Sequence, residues 1–177
     1  MIFMQQVHGD RVVRVDVGDD GKTIPDCDAL ITNDIKVELA VRTADCLPIA
    51  VKDKKNHALA VVHAGWRGLF KEIIAKAINR MIKEFSSNTE NLKVFIGPHI
   101  CKKHYEVKED VSGKFKKYKV GEFMDLAQVA VSQLTELGVK GKDIKIARRC
   151  TFEDKKLFSH RRGDLGKSNI TVFARPY

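Results

Sequence analysis

No apolar run in this chain is long enough to cross a bilayer. The longest, Ala58 to Ala64, is interrupted by His63 and falls far short of the roughly 20 residues a membrane helix needs. Internal repeats and low-complexity tracts are also missing, which excludes solenoid and collagen-like architectures. The start, Met1-Ile2-Phe3-Met4-Gln5-Gln6, has neither the basic residues nor the apolar stretch of a signal peptide. A cytoplasmic location is therefore expected. The four cysteines, Cys27, Cys46, Cys101 and Cys150, form no CxxC pair, so no closed zinc knuckle is written in the sequence. In a reducing compartment each is a packing residue, a metal ligand or a nucleophile. Cys27, Cys101 and Cys150 read as packing residues.

What is present is globular. Of the 177 residues, 44% are hydrophobic and 31% charged, enough apolar surface for one core and one domain over residues 1–177. The net charge of +9 comes from lysines scattered beside Asp and Glu. That is the pattern of a solvated surface, and no aromatic residues are interleaved as in nucleic-acid modules. Neither nucleic acid nor membrane is an expected partner.

Hydrophobic spacing sets the elements. Val12 to Val17 alternates, as a half-exposed strand does. Ala29 to Ile31, Val37 to Val41, Leu47 to Val51 and Ala58 to Val62 follow as strands, the last apolar throughout and buried on both faces. From Phe70 to Phe85 the period lengthens. Ile73, Ile74, Ala77, Ile78, Met81, Ile82 and Phe85 line one helical face. Leu92 to Ile96 is a strand closed by Gly97-Pro98. Asp125 caps a helix that begins at Leu126 and ends at Gly138. Ile144 to Ala147 and Ile170 to Ala174 are further strands. Several links are too short for crossover helices, so the sheets are mixed and partly antiparallel. The fold class is α+β, with helices flanking the sheets.

Chemistry concentrates between Cys46 and His63. A hairpin folded about the Lys54–Lys55 bond would set Cys46 opposite His63, near enough to share a metal ion. Thiolate and imidazole suit zinc, and a third ligand with one open position makes a catalytic site. His8, in Gln6-Val7-His8-Gly9, is the natural third. His63-Ala64-Gly65-Trp66-Arg67-Gly68 then joins a buried strand to a helix. Helix-start amides attract anions, and Arg67 adds a planar fork of donors suited to phosphate. Ser159-His160-Arg161-Arg162 is a second candidate anion site.

Together with Asp28-Ala29-Leu30-Ile31-Thr32, Thr43-Ala44-Asp45-Cys46-Leu47-Pro48, Ile96-Gly97-Pro98-His99-Ile100, Tyr105-Glu106-Val107 and Cys150-Thr151, these segments resemble the laccase-domain family, also called YfiH-like. They stand in family order over nearly the whole chain. The resemblance implies mixed sheets flanked by helices, and one zinc per chain held by His8, Cys46 and His63. It implies purine nucleoside chemistry: phosphorolysis of adenosine, inosine, guanosine or methylthioadenosine, and adenosine deamination. The fold is also similar to that of cysteine-dependent deamidases. Three positions depart from the family pattern. The sequence starts almost at QVHG, where members usually carry a further segment, His99 stands where Cys is common, and Lys167 stands where Arg often occurs. A pocket completed by a second subunit of a homo-oligomer is one expectation that follows.

Within that reading Arg67 and Arg161 hold inorganic phosphate against the sugar of a nucleoside, while Asp45 or Glu106 moves a proton. One rival is a copper-binding polyphenol oxidase. Thiolate and imidazole accept copper in place of zinc, yet six histidines without an HxH pair are too few for a multi-copper centre. Another is a metal-free cysteine hydrolase with Cys46 as nucleophile and His63 as base. The last is a binding protein without turnover.

Overall fold

The structure, a computed structural model, describes residues 1–108 and 113–174. Its strands in chain order are β1 (Phe3–Met4), β2 (Val12–Arg14), β3 (Thr23–Ile24), β4 (Ala29–Thr32), β5 (Leu39–Thr43), β6 (Leu47–Asp53) and β7 (Ala58–Ala64). Helices α1 (Trp66–Phe70) and α2 (Ile73–Phe85) follow, then β8 (Leu92–Ile96). The short β9 (Lys119–Val120) and β10 (Phe123–Met124) precede helix α3 (Leu126–Glu136), and β11 (Ile144–Ile146) and β12 (Asn169–Phe173) close the chain. Six strands form one mixed sheet in the order β11-β8-β6-β7-β4-β2. The pairs β6–β7, β4–β7 and β6–β8 are antiparallel, and β8–β11 and β2–β4 parallel. The fold is α+β. No helix among the described residues is long and apolar enough to cross a membrane.

Alternation along the strands sends side chains to two cores. Ala29, Ile31, Ile49, Val51, Ala60 and Val62 face α2 and α3, with Ile74, Ile78, Met81 and Leu134 packed against them. Leu30, Ala50, Leu59 and Val61 face the other way, onto Ile2, Leu39 and Val41. There β5 pairs with β12, and Ile2 bridges to Leu39. Strand β7 is buried along its whole length. A continuous apolar strand is what a central position with cover on both faces demands. Each isoleucine of the α2 stripe that leaves water contributes about 1.5–3 kcal/mol.

Three expectations need correction. The strand expected over Val12 to Val17 ends at Arg14, because Asp16 accepts from Gly18 N at 2.8 Å and caps a single turn, Val17–Asp19. The hairpin pairs Leu47 with Ala64 and Asp53 with Ala58, a register two residues away from the one expected. The cause is the loop. Asp53, fully buried, accepts hydrogen bonds from the backbone N–H groups of Lys55 (2.9 Å) and Asn56 (3.2 Å), and His57 takes a left-handed φ of 51°. These build a four-residue loop in place of a two-residue turn. The side-chain period of a strand is two, so the shift leaves Cys46 and His63 on one face. The expected single helix from Phe70 is also interrupted. Glu72 sits in the left-handed region (φ 58°, ψ 39°), separating α1 from α2. At the break the Leu69 carbonyl accepts from Glu72 N at 3.1 Å and also from Gln133 Nε2 on α3 at 2.8 Å.

Asp125 caps α3 as expected, accepting from Gln128 N at 2.9 Å.

Candidate functional site

The site lies at the end of the central hairpin, where β6 begins and β7 leaves the sheet. It is organised by Asp28, a residue with no solvent exposure. One carboxylate oxygen accepts from His8 N (3.0 Å), and the other from Val7 N (3.1 Å) and Gly9 N (2.7 Å). This nest of amides holds the QVHG loop, in which His8 takes a left-handed φ of 56°. Asp28 Oδ1 also accepts from His63 Nδ1 at 2.7 Å. Because a carboxylate can only accept, the proton of a neutral His63 lies on Nδ1, and Nε2 keeps its lone pair.

Cys46 completes the group. His8 Nε2 lies 4.0 Å from its sulfur, and the rings of His8 and His63 meet edge to face at 4.8 Å between centroids. One ligand atom from each of the three residues lies within 4.8 Å of the other two. Sulfur and two imidazole nitrogens with a carboxylate behind one ring are the donor set of a zinc site with room for a further ligand. The residues present fit the metal.

Without metal the trio holds a thiolate against an imidazolium, and metal uptake displaces the His63 proton. Burial pushes the Cys46 thiol up, but hydrogen bonds from His63 and His8 outweigh it and bring the pKa from 9.0 to about 7. Burial lowers His63, yet Asp28 and Cys46 outweigh it and raise the imidazole from 6.5 to about 9. Asp28 is pushed up by burial and held below its ordinary value by the His63 and Gly9 hydrogen bonds.

Gly65 is the reason the helix can start so close. A Cβ there would lie 2.9 Å from Cys46 Sγ and 3.4 Å from His8 Cδ2. Its φ of −83° is open to any residue, so the requirement is space and not backbone conformation.

Beside this trio opens a cleft of about 660 Å³, lined by Gln6, Arg42, Trp66, Arg67, Tyr105, His160, Arg161 and Lys167 as well as by the trio. That is a volume typical of small-molecule sites. The Arg67 guanidinium lies 4.5 Å from the Trp66 ring centroid, and that of Arg161 lies 5.5 Å from Tyr105. Arg161 Nη2 donates to the Glu106 carbonyl at 2.8 Å. Gln6 exchanges two hydrogen bonds with the Arg42 backbone, at 2.7 and 2.9 Å.

The fold thus brings His8, Cys46, His63, Arg67 and Arg161 to one place. Asp45 joins them at the wall in a different capacity. Its carboxylate accepts from Thr151 Oγ1 (2.6 Å) and from Arg161 N (2.7 Å), so both oxygens hold the wall together. Glu106 is exposed and does not line the cleft; its carbonyl, not its carboxylate, meets Arg161. Asp28 carried no role in the sequence, although it stands in a quoted motif. Tyr105, Arg42 and Lys167 are likewise visible as site residues only once the chain is folded.

The multi-copper polyphenol oxidoreductase laccase family model matches residues 1–173. A purine nucleoside phosphorylase of Clostridium acetobutylicum is 34% identical over 97% of this chain and 74% of its own length. One of Bacteroides thetaiotaomicron is 36% identical over 81% of this chain and 58% of its own. Among solved structures, YlmD from Geobacillus stearothermophilus superposes with a TM-score of 0.87 at 27% identity, covering 97% of this chain and 71% of that one. YfiH from Bacillus licheniformis gives 0.86 at 26%, over 97% and 72%.

Proposed function

This chain belongs to the multi-copper polyphenol oxidoreductase laccase family, and from that premise we propose that it is a zinc-dependent purine nucleoside phosphorylase. The observation that carries the reading is that a His–Cys–His trio and two arginines open onto one cleft. The similar proteins named as purine nucleoside phosphorylases support it.

Phosphorolysis forms a bond from a phosphate oxygen to C1′ of the sugar and breaks the bond from C1′ to the purine nitrogen. The base leaves with a proton, and ribose 1-phosphate remains. Arg67 and Arg161 bind the phosphate through charge-assisted hydrogen bonds. Arg161 is pre-set for this by its bond to the Glu106 carbonyl and by Asp45, which fixes its backbone. Asp45 is a positioning residue in this scheme. Trp66 and Tyr105 supply flat surfaces for the purine, and Arg42 and Lys167 extend the cationic rim. His8, Cys46 and His63 hold zinc, which when bound supplies Lewis acidity and positive charge at the cleft floor. Positioning and charge stabilisation then carry most of the rate.

The three-donor site with its nearby arginines favours anion chemistry over a multi-copper oxidase. The test is incubation of metal-analysed protein with adenosine, with and without phosphate, followed by chromatography. Adenine and ribose 1-phosphate forming only with phosphate support the reading. Inosine in either case adds deamination. No product from protein carrying zinc overturns it.

A further inference from the structure

Cys101 and Cys150 take no part in the cleft, and the sequence gives each as a packing residue. The fold brings them together. A single turn, Lys102–His104, follows Cys101 and sets His104 three residues after it. Glu153 follows Cys150 at the same spacing, across another turn. An isolated bridge between His99 and Cys150 joins the two segments, with Thr151 N donating to the His99 carbonyl at 3.0 Å.

The outcome is a four-donor cluster. Cys101, His104, Cys150 and Glu153 each present one ligand atom, and all four atoms lie within 4.8 Å of one another. His104 Nε2 is 3.0 Å from Glu153 Oε1, and Cys101 Sγ is 3.9 Å from the same oxygen. Donor separations in a tetrahedral zinc site with bonds of about 2.0–2.3 Å are roughly 3.3–3.8 Å. The cluster therefore needs only small side-chain adjustments.

We propose that Cys101, His104, Cys150 and Glu153 form a second zinc site, closed and structural, separate from the trio in the cleft. Four protein donors fill a tetrahedral shell and leave no open position, which is the mark of a structural centre. The surroundings suit it. The Cys101 amide donates to Cys150 Sγ at 3.1 Å, the kind of outer contact that stabilises a ligating thiolate. The His104 ring stacks on Phe152 with centroids 4.4 Å apart and 22° between planes, which fixes its orientation. Two thiolates and a carboxylate carry three negative charges against the two of zinc. Lys102, Lys103 and Arg148 border the same depression and offset the remainder. Zinc uptake releases the two thiol protons.

The position gives the site a purpose. Ile100 N donates to the Asp45 carbonyl at 3.0 Å, and Thr151 Oγ1 to the Asp45 carboxylate. Zinc would staple together the two segments that grip Asp45, the neighbour of Cys46.

The experiment loads the full-length Cys46→Ala protein with zinc, removes excess by dialysis and measures metal and free thiols. One zinc per chain is expected, protecting Cys101 and Cys150 from alkylation. Cys101→Ser or His104→Ala added to that background is expected to release the metal with the circular dichroism spectrum kept. Cobalt(II) in the Cys46→Ala protein is expected to show thiolate charge-transfer absorption that Cys101→Ser abolishes. Should the double variants fail to fold, alkylation protection by zinc in Cys46→Ala alone decides. Folded Cys46→Ala protein without zinc, zinc retained after Cys101→Ser, or a Cys101–Cys150 disulfide in its place overturns the proposal. Nucleoside turnover does not enter, so this result stands apart from the test of the phosphorylase reading.

Discussion

The sulfur of Cys46 occupies the space that a side chain on Gly65 would need: a Cβ there would lie 2.9 Å from Sγ. Gly65 precedes α1, so the helix can start against the thiol only because the residue before it has no side chain. Gly65→Ala is expected to displace Cys46 or the helix start and to lower zinc stoichiometry and turnover together. Gly141→Ala, where a Cβ would meet nothing within 4 Å, serves as the control and is expected to leave both unchanged. Metal content per folded chain is the measurement, and full zinc in Gly65→Ala would refute the steric account.

Asp28→Asn keeps the shape of the hub and removes its charge. The His63 imidazole then loses its anionic partner and its enforced tautomer. Loss of such an outer partner typically weakens metal binding 10–100-fold, and a drop of about that size is expected in competition with a chelator of known affinity. An unchanged affinity would show that the hydrogen bond to His63 does not tune the ligand.

In the metal-free protein Cys46 titrates near 7 and His63 near 9. The thiol is depressed on folding, so its stabilising contribution is present above its ordinary 9.0 and is lost as pH falls through 7. The imidazole is raised, so its contribution is complete below 6.5 and is lost as pH rises through 9. Thiolate and imidazolium therefore coexist between about pH 7 and 9. Alkylation of Cys46 in chelator-treated protein is expected to rise with a midpoint near 7, and to move upward in His63→Gln. A midpoint already near 9 in the unmodified chain would remove the ion pair.

Arg67→Ala and Arg161→Ala bear on phosphate. A charge-assisted hydrogen bond is worth about 1.5–3 kcal/mol, so each change is expected to raise the KM for phosphate roughly 10-fold or more. The KM for the nucleoside is expected to move less. Phosphate titrations at saturating nucleoside read this out, and an equal rise in both constants would place the arginines elsewhere in the chemistry.

Local pattern carried much of the architecture. The buried strand β7, the α2 stripe of Ile73, Ile74, Ala77, Ile78, Met81 and Phe85, and the Asp125 cap are all local signals and stand where spacing put them, whereas Ile82, expected in the stripe, is exposed. The trio His8, Cys46 and His63 was legible through motif and through the parity of the hairpin, which a two-residue slip leaves intact. The slip itself was not legible, because it depends on Asp53 turning its carboxylate onto the loop amides. The break at Glu72 escaped for a similar reason: the Leu69 carbonyl beside it is met by Gln133, 64 residues further on. Pairs such as Thr151 with Asp45, 106 residues apart, leave no trace in spacing. The same holds for Cys101 and Cys150, which meet only through the bridge at His99.

Asp28 grips both the loop that carries His8 and the ring of His63. The two imidazoles thus share one mechanical reference, as two jaws bolted to a single block. A displacement of Asp28 would carry both with it and alter the gap between them less than either position. The calibre of the ligand set is in this way fixed by one carboxylate and not by the walls of the cleft.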